Sequence, residues 1–275
     1  MSAPADGPAA AAFRIVGVVH LPPLPGSARG PSAREMDGIL ESVRRDAMAW
    51  AGGGANALIV ENFGDVPFRK GAVGPETVAA MTLAVSLASA ESGLPVGVNV
   101  LRNDVEAAVA IAAHAGGRFV RANVYAGAAV TDQGLIEGRA DAVQALIRRL
   151  DAPVSVWADV DVKHAAPLSS RPIGELAEDA VMRGLAGALI VSGAGSGHPT
   201  NAADLLAVRA ALPHTPLYVG SGATAMTLPS LLDIADGAIV GTAGKVDGFI
   251  GNPVDLGRVR ALVAAAGASV AGEAR

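Results

Sequence analysis

The stretch Ser155–Leu168, SVWADVDVKHAAPL, opens as an apolar strand and then sets Asp159, Asp161, Lys163 and His164 within six positions. A core strand has no use for two acids and two bases, so this cluster is the first candidate for chemistry. Side chains alternate along a strand, which puts Asp159, Asp161 and Lys163 on one face. Two carboxylates beside a cation can be tuned to take and return protons. That points to general acid–base work, with Asp159 or Asp161 as base and Lys163 or His164 as acid. Three other readings of these residues stay open. Lys163 could form a Schiff base if it were buried, although two neighbouring aspartates favour its ammonium form. Asp159, Asp161 or Glu61, with His20 or His164, could hold a divalent metal such as Mg²⁺ or Mn²⁺. The cluster could also be an ion-paired rim that only fixes strand register.

The elements that position these residues repeat along the chain. Apolar strand patterns (RIVGVVHL, ANALIVENF, PVGVNVLR, RFVRANVY, PVSVWADVDV, GALIVSG, PLYVGSG and GAIVGT) alternate with amphipathic helices. Ser32 and Glu35 form a capping box ahead of Met36, Ile39, Leu40, Val43 and Ala47 at helical spacing. Asn103 with Glu106, and Asn201 with Asp204, repeat that logic. Pro75, Pro172 and Pro253 are expected in first helical turns, where a missing N–H costs nothing. Strand then helix, eight times in about 250 residues, predicts a TIM (β/α)₈ barrel, an α/β fold. A doubly wound sheet would carry a Gly-rich fingerprint after its first strand; HLPPLPG is none.

Barrel active sites lie at the C-terminal ends of the strands. The early strands end in His20, Glu61 and Asn62, Asn99, then Arg121 and Asn123. The late ones end in SGAGSGHPT, GSGAT and GTAGK. One half therefore gathers ionisable groups and amides expected to orient a substrate. The other half offers backbone N–H groups suited to a phosphate: Ser192, Gly193, Gly220, Ser221, Gly222, Gly241 and Thr242. Glycines that merely permit tight turns are the simpler alternative. The loop Asn62–Glu76 reads either as a lid, with Phe63 and Phe68 covering a ligand and Arg69 and Lys70 meeting its charge, or as a loop anchored by the two aromatics beside a solvated charge pair. His114 and His214 belong to the stability end.

Composition sets limits. The chain has 275 residues, 51% hydrophobic and 17% charged, enough for one large core. Aromatics make up only 3%, which predicts a core of Ala, Val, Leu and Ile. A net charge of −5 argues against a nucleic-acid partner. The absence of cysteine removes disulfides and thiolate chemistry and fits a cytoplasmic location. No apolar run reaches the ~20 residues of a membrane span. The expected layout is a disordered extension over 1–12 and a single barrel domain over 13–270. No cofactor is required by this reading, a divalent metal is admitted, and self-association is left open.

The motifs VGVVHLPPLPGS, IVENFGDVPF, PETVAAM, PVGVNVLRND, TDQGLIEGRA, ADVDVKHAAPL, ALIVSGAGSG and GAIVGTAGKVDG with NPVD resemble, in order, the BtpA-like family. The resemblance implies a barrel of the ribulose-phosphate-binding kind, similar to phosphoribosylanthranilate isomerase. It also implies a non-enzymatic alternative, because relatives in photosynthetic organisms are described as photosystem I biogenesis factors associated with membranes. Asp161 stands where the family pattern leads one to expect His or Asn, which weakens a metal site at that position. The leading expectation is an enzyme acting on a phosphorylated sugar or nucleoside-derived molecule by acid–base isomerisation, lyase or glycosyl-transfer chemistry. An assembly factor for a membrane complex is the alternative.

Overall fold

The computed structural model describes residues 13–160, 165–168, 171–193 and 200–268. Eight parallel strands close into a barrel: β1 (Ile15–His20), β2 (Ala57–Glu61), β3 (Val96–Asn99), β4 (Phe119–Ala122), β7 (Ser155–Val160), β9 (Ala188–Val191), β10 (Leu217–Val219) and β11 (Gly237–Val240). They pair in chain order, and β11 returns to β1 through Ile15↔Ala238, Val16↔Ile239 and Gly17↔Val240. The expected eightfold alternation is therefore the observed architecture.

The helices start where local chemistry allows. Ser32 and Glu35 make the reciprocal capping box ahead of α1 (Met36–Gly52). Pro75 opens α2 (Pro75–Ser92), and Asn201 caps α6 (Ala202–Ala211) by accepting from Ala203 N–H. Three expected starts differ. Pro172 is the N-cap of α5 (Ile173–Glu178), one residue ahead of its first turn. Asp104, not Asn103, caps α3 (Val105–Ala115); the Asn103 amide instead brackets the backbone of Val124. Pro253 lies ahead of α8 (Leu256–Ala268), whose first turn is capped by Asp255 accepting from Arg258 N–H at 2.8 Å. The ring of helices is completed by α4 (Ala140–Leu150), α5 (Ile173–Glu178) and α7 (Leu228–Leu232).

The core has two parts with different compositions. Between strands and helices it is mainly aliphatic, as composition predicts, with Trp50 and Tyr125 as its aromatics. Inside the barrel the few aromatics concentrate: Phe119 stacks on Trp157 at 3.9 Å, Trp157 on Tyr218 at 4.2 Å, and Phe13 closes this floor. Overall frequency could not reveal that a handful of rings shares one layer. Gly97 makes the layer possible, because a Cβ there would lie 2.1 Å from the Phe119 ring.

A second sheet was not expected. β5 (Ala128–Thr131) and β6 (Gly134–Glu137) form a hairpin after β4, and β8 (Ala165–Pro167) pairs with β5. It joins the connections that follow β4 and β7, on the side of the barrel where the strands end. Among the described residues, no helix is long and apolar enough to cross a membrane.

Candidate active site

Alternation carries directly from the barrel floor to its mouth. Val18, Ile59, Phe119, Trp157, Ile190, Tyr218 and Ile239 fill the barrel interior. Two residues further along each strand stand His20, Glu61, Arg121, Asp159, Ser192, Gly220 and Gly241, and Asn99 follows Gly97 in the same way. These strand-end residues thus form one ring, polar on one side and glycine on the other.

Glu61 and its neighbours make the first cluster. Asn99 donates from Nδ2 to Glu61 Oε2 at 2.6 Å, a pair brought together by the β2–β3 register. His20 Nε2 stands 4.0 Å from Glu61 Oε1, and the imidazole meets Phe63 edge-on at 5.2 Å. One carboxylate oxygen is thus held by an amide while the other faces an imidazole. That arrangement can move a proton.

Asp159 heads the second cluster, and its surroundings run against the expected role of base. Arg121 donates from Nε to Oδ2 and from Nη2 to Oδ1, both at 2.9 Å. Asn123 Nδ2 adds a bond to Oδ2 at 2.9 Å, and Ser192 Oγ one to Oδ1 at 3.1 Å. A carboxylate has about four lone-pair directions, and all are occupied here. Burial opposes the Arg121 charge, yet Asp159 outweighs it and holds the guanidinium above the ordinary arginine value. The pair is a buttress.

Asp161, Lys163 and His164, the other catalytic candidates of this stretch, lie outside the described residues. So does His198.

Several residues expected to bind substrate also tie the scaffold together. Asn62 accepts from Leu101 N–H at 2.7 Å and donates to Asp65 at 3.0 Å, tying the β2 and β3 connections together. Gly193 N–H donates to Ser221 Oγ at 2.9 Å, which links the β9 and β10 connections. Tyr125, two residues beyond Asn123, is buried in the helix-facing core rather than in the barrel interior. Its hydroxyl donates to Gly184 O, and burial pushes its pKa up. Asn99 and Asn123 each keep a buried Oδ1 with no hydrogen-bond partner among the described residues.

A cavity of about 550 Å³ joins the two sides of the ring. Val18 and Ile239 line it towards the barrel interior; His20, Glu61 and Arg121 supply its polar wall beside Phe63; Gly220–Ala225 and Gly241–Ala243 line the opposite wall. No acceptor among the described residues takes up the N–H groups of Gly222, Ala223, Thr242 or Ala243. Gly220 and Gly241 also have a packing role. A Cβ at Gly220 would lie 2.3 Å from Ser192 Oγ, and one at Gly241 would lie 2.6 Å from His20 Cε1.

Of the proposed lid, Phe63 reaches the cavity while Arg69 pairs with Glu76 at 3.6 Å. Sequence reasoning missed two residues. Arg258, in the first turn of α8, lines the cavity, and its only signal was a position just after the NPVD motif. Arg102 is buried; burial pulls its pKa down, while the charges of Asp132, Asp159 and Glu61 oppose that shift. Among the described residues, no three His, Asp or Glu side chains converge as a metal site.

Residues 12–268 match the model of the BtpA family. A photosystem I biogenesis protein, BtpA of Synechocystis sp., is 43% identical over 251 residues, covering 91% of this chain and 87% of its own. An uncharacterised protein of Thermococcus kodakarensis is 45% identical over 249 residues, covering 90% and 93%. Among solved structures, phosphoribosyl anthranilate isomerase of Thermus thermophilus superposes with a TM-score of 0.52 at 16% identity, covering 93% and 98%. That likeness is one of fold.

Proposed function

Starting from the chain's membership of the BtpA family, we propose that it is an enzyme acting on a phosphorylated sugar or nucleoside-derived small molecule by acid–base catalysis. The observation that carries this reading is the single cavity lined both by His20, Glu61 and Arg121 and by the two glycine loops. A phosphate would rest on the N–H groups of Gly222, Ala223, Thr242 and Ala243, where successive amides make a concave anion site. The rest of the substrate would extend towards Glu61.

The base in this proposal is Glu61 rather than Asp159. Glu61 lines the cavity, and one of its oxygens faces His20 across 4.0 Å. Asn99, bonded to the other oxygen, would fix the plane of the carboxylate. His20 would return the proton as general acid or stabilise developing negative charge. Arg121, held by Asp159, would present a fixed positive charge at the wall. Proton abstraction beside a carbonyl or hydroxyl, as in an isomerase or lyase, uses these parts without a cofactor. The solved isomerase of like fold is, by its name, an enzyme of a phosphoribosyl compound, which agrees in substrate class.

Crystals soaked with ribose 5-phosphate test the placement. Phosphate density between Gly222 and Thr242, with the sugar directed at Glu61, is the expected result. Density elsewhere, or none at saturating ligand, removes the reading.

The name of the Synechocystis relative favours a second reading, an assembly factor that uses the barrel as a platform. It predicts a stoichiometric protein partner whose capture is unaffected by Glu61→Gln. The acid–base reading predicts that this variant loses turnover.

A further inference from the structure

The cavity does not end at the glycine loops. It continues to Gly248, Ile250 and the first turns of α8, where Arg258, Ala261 and Leu262 line it. Among the described residues, three cationic or imidazole side chains border the space: His20, Arg121 and Arg258. Two are already directed at carboxylates, His20 towards Glu61 and Arg121 onto Asp159. Arg258 differs. Among the described residues its side chain enters no hydrogen bond or ion pair, while its backbone N–H donates to Asp255 Oδ1. Asp247 and Asp255 are the acids nearest along the chain, and neither pairs with the guanidinium.

Chain geometry explains why this arginine stands beside the loops. Asp255 N–H donates to Gly244 O at 2.8 Å, so the start of α8 is tied to the turn that follows β11. Helical side chains lean towards the N-terminus. Arg258 therefore reaches back over that turn, and its Nη1 lies 4.0 Å from where a Cβ on Gly248 would stand.

We infer that Arg258 is the cationic contact of the phosphate site and makes it selective for a dianionic phosphate monoester over an uncharged ligand. This rests on the phosphate reading above and adds to it the residue that supplies the charge. The open amides offer only partial positive charge. A guanidinium adds a full one together with paired donors that match phosphate oxygens. The phosphate is then the end of the substrate furthest from Glu61, and the reacting carbons lie on the inner side.

Titration calorimetry with inorganic phosphate at low ionic strength tests the assignment on the full chain. The proteins compared are the wild type, Arg258→Gln, Arg258→Lys and Arg260→Gln, the last an arginine exposed like Arg258 but outside the cavity lining. Arg258→Gln is expected to weaken phosphate binding roughly ten- to a hundred-fold, as for a lost charge-assisted hydrogen bond. Arg258→Lys should recover part of the loss, and Arg260→Gln should match the wild type. Wild-type affinity in Arg258→Gln overturns the assignment and leaves the phosphate reading standing. Equal weakening by Arg260→Gln reduces the effect to overall charge and also overturns it. Phosphate binding to none of the four proteins overturns the assignment and the phosphate reading together.

Discussion

The two sides of the barrel mouth occupy equivalent strand positions and are built in opposite ways. On the polar side, Arg121, Asn123, Asp159 and Ser192 bond to one another until the Asp159 carboxylate has no acceptor direction to spare. On the glycine side, the loops keep backbone donors that nothing in the described chain takes up. On the proposed acid–base reading, the contrast means that an abundance of ionisable groups does not by itself locate the chemistry. Charges that satisfy each other make a rigid wall, and reactivity belongs where a group is oriented but unsaturated. Glu61 is such a group, fixed by Asn99 through one oxygen.

The largest test of this contrast exchanges roles between the two carboxylates. Glu61→Gln is expected to lower turnover of a confirmed substrate by about 10²–10⁴-fold, the usual weight of a general base, with folding stability little changed. Equal turnover in the variant and the wild type would break the contrast at its centre.

Asp159→Asn should do the reverse and act on stability first. It strands the buried Arg121 charge, a change that typically costs about 3–5 kcal/mol. Denaturant unfolding reads this as a lower midpoint with an unchanged slope. A fully stable, inactive Asp159→Asn protein would return Asp159 to the role of base.

A smaller effect probes the glycine side. Gly220→Ala sets a methyl 2.3 Å from Ser192 Oγ and 3.3 Å from Arg121 Nη2. Overpacking of this kind costs about 1–3 kcal/mol and should displace the Arg121 guanidinium. If Gly220→Ala is neutral, the two sides are not packed against each other as described.

The smallest effect separates the mouth from the floor beneath it. Burial pushes the Tyr218 hydroxyl up to about 12. Its folded value is raised, so the stability it contributes is complete below about pH 10 and lost as pH climbs towards 12. The full loss is roughly 2–3 kcal/mol. Wild-type stability should fall more steeply over that window than that of Tyr218→Phe; parallel curves would mean the floor is open to water.

Much of this was legible in the chain. Strand-end identities, the inward face of Asp159 and Arg121, the capping box at Ser32 and the two glycine loops all follow from alternation or from contacts within one turn. Misreadings arose where a local rule had two solutions. Asn103 and Asp104 can both cap a helix, and only the position of Val124 decides that Asn103 brackets its backbone instead. Alternation did not reveal that the Asn62 amide, named as a substrate ligand for its place at a strand end, bonds Leu101 and Asp65. The small sheet of β5, β6 and β8 escaped notice because its strands are short and their pairing crosses two connections.

The sequence by itself determined the eightfold alternation, the closed barrel it implies, the family, and which residues point into the mouth. Those properties depend on spacings of two to four residues, which the chain carries wherever it folds. Only the tertiary structure decided that Asp159 is saturated, that Glu61 shares a cavity with both glycine loops, and that Arg258 stands beside them. Each of these depends on which distant group occupies the remaining space around an atom. That is settled only when the ring closes, β11 meets β1, and water is displaced from between them.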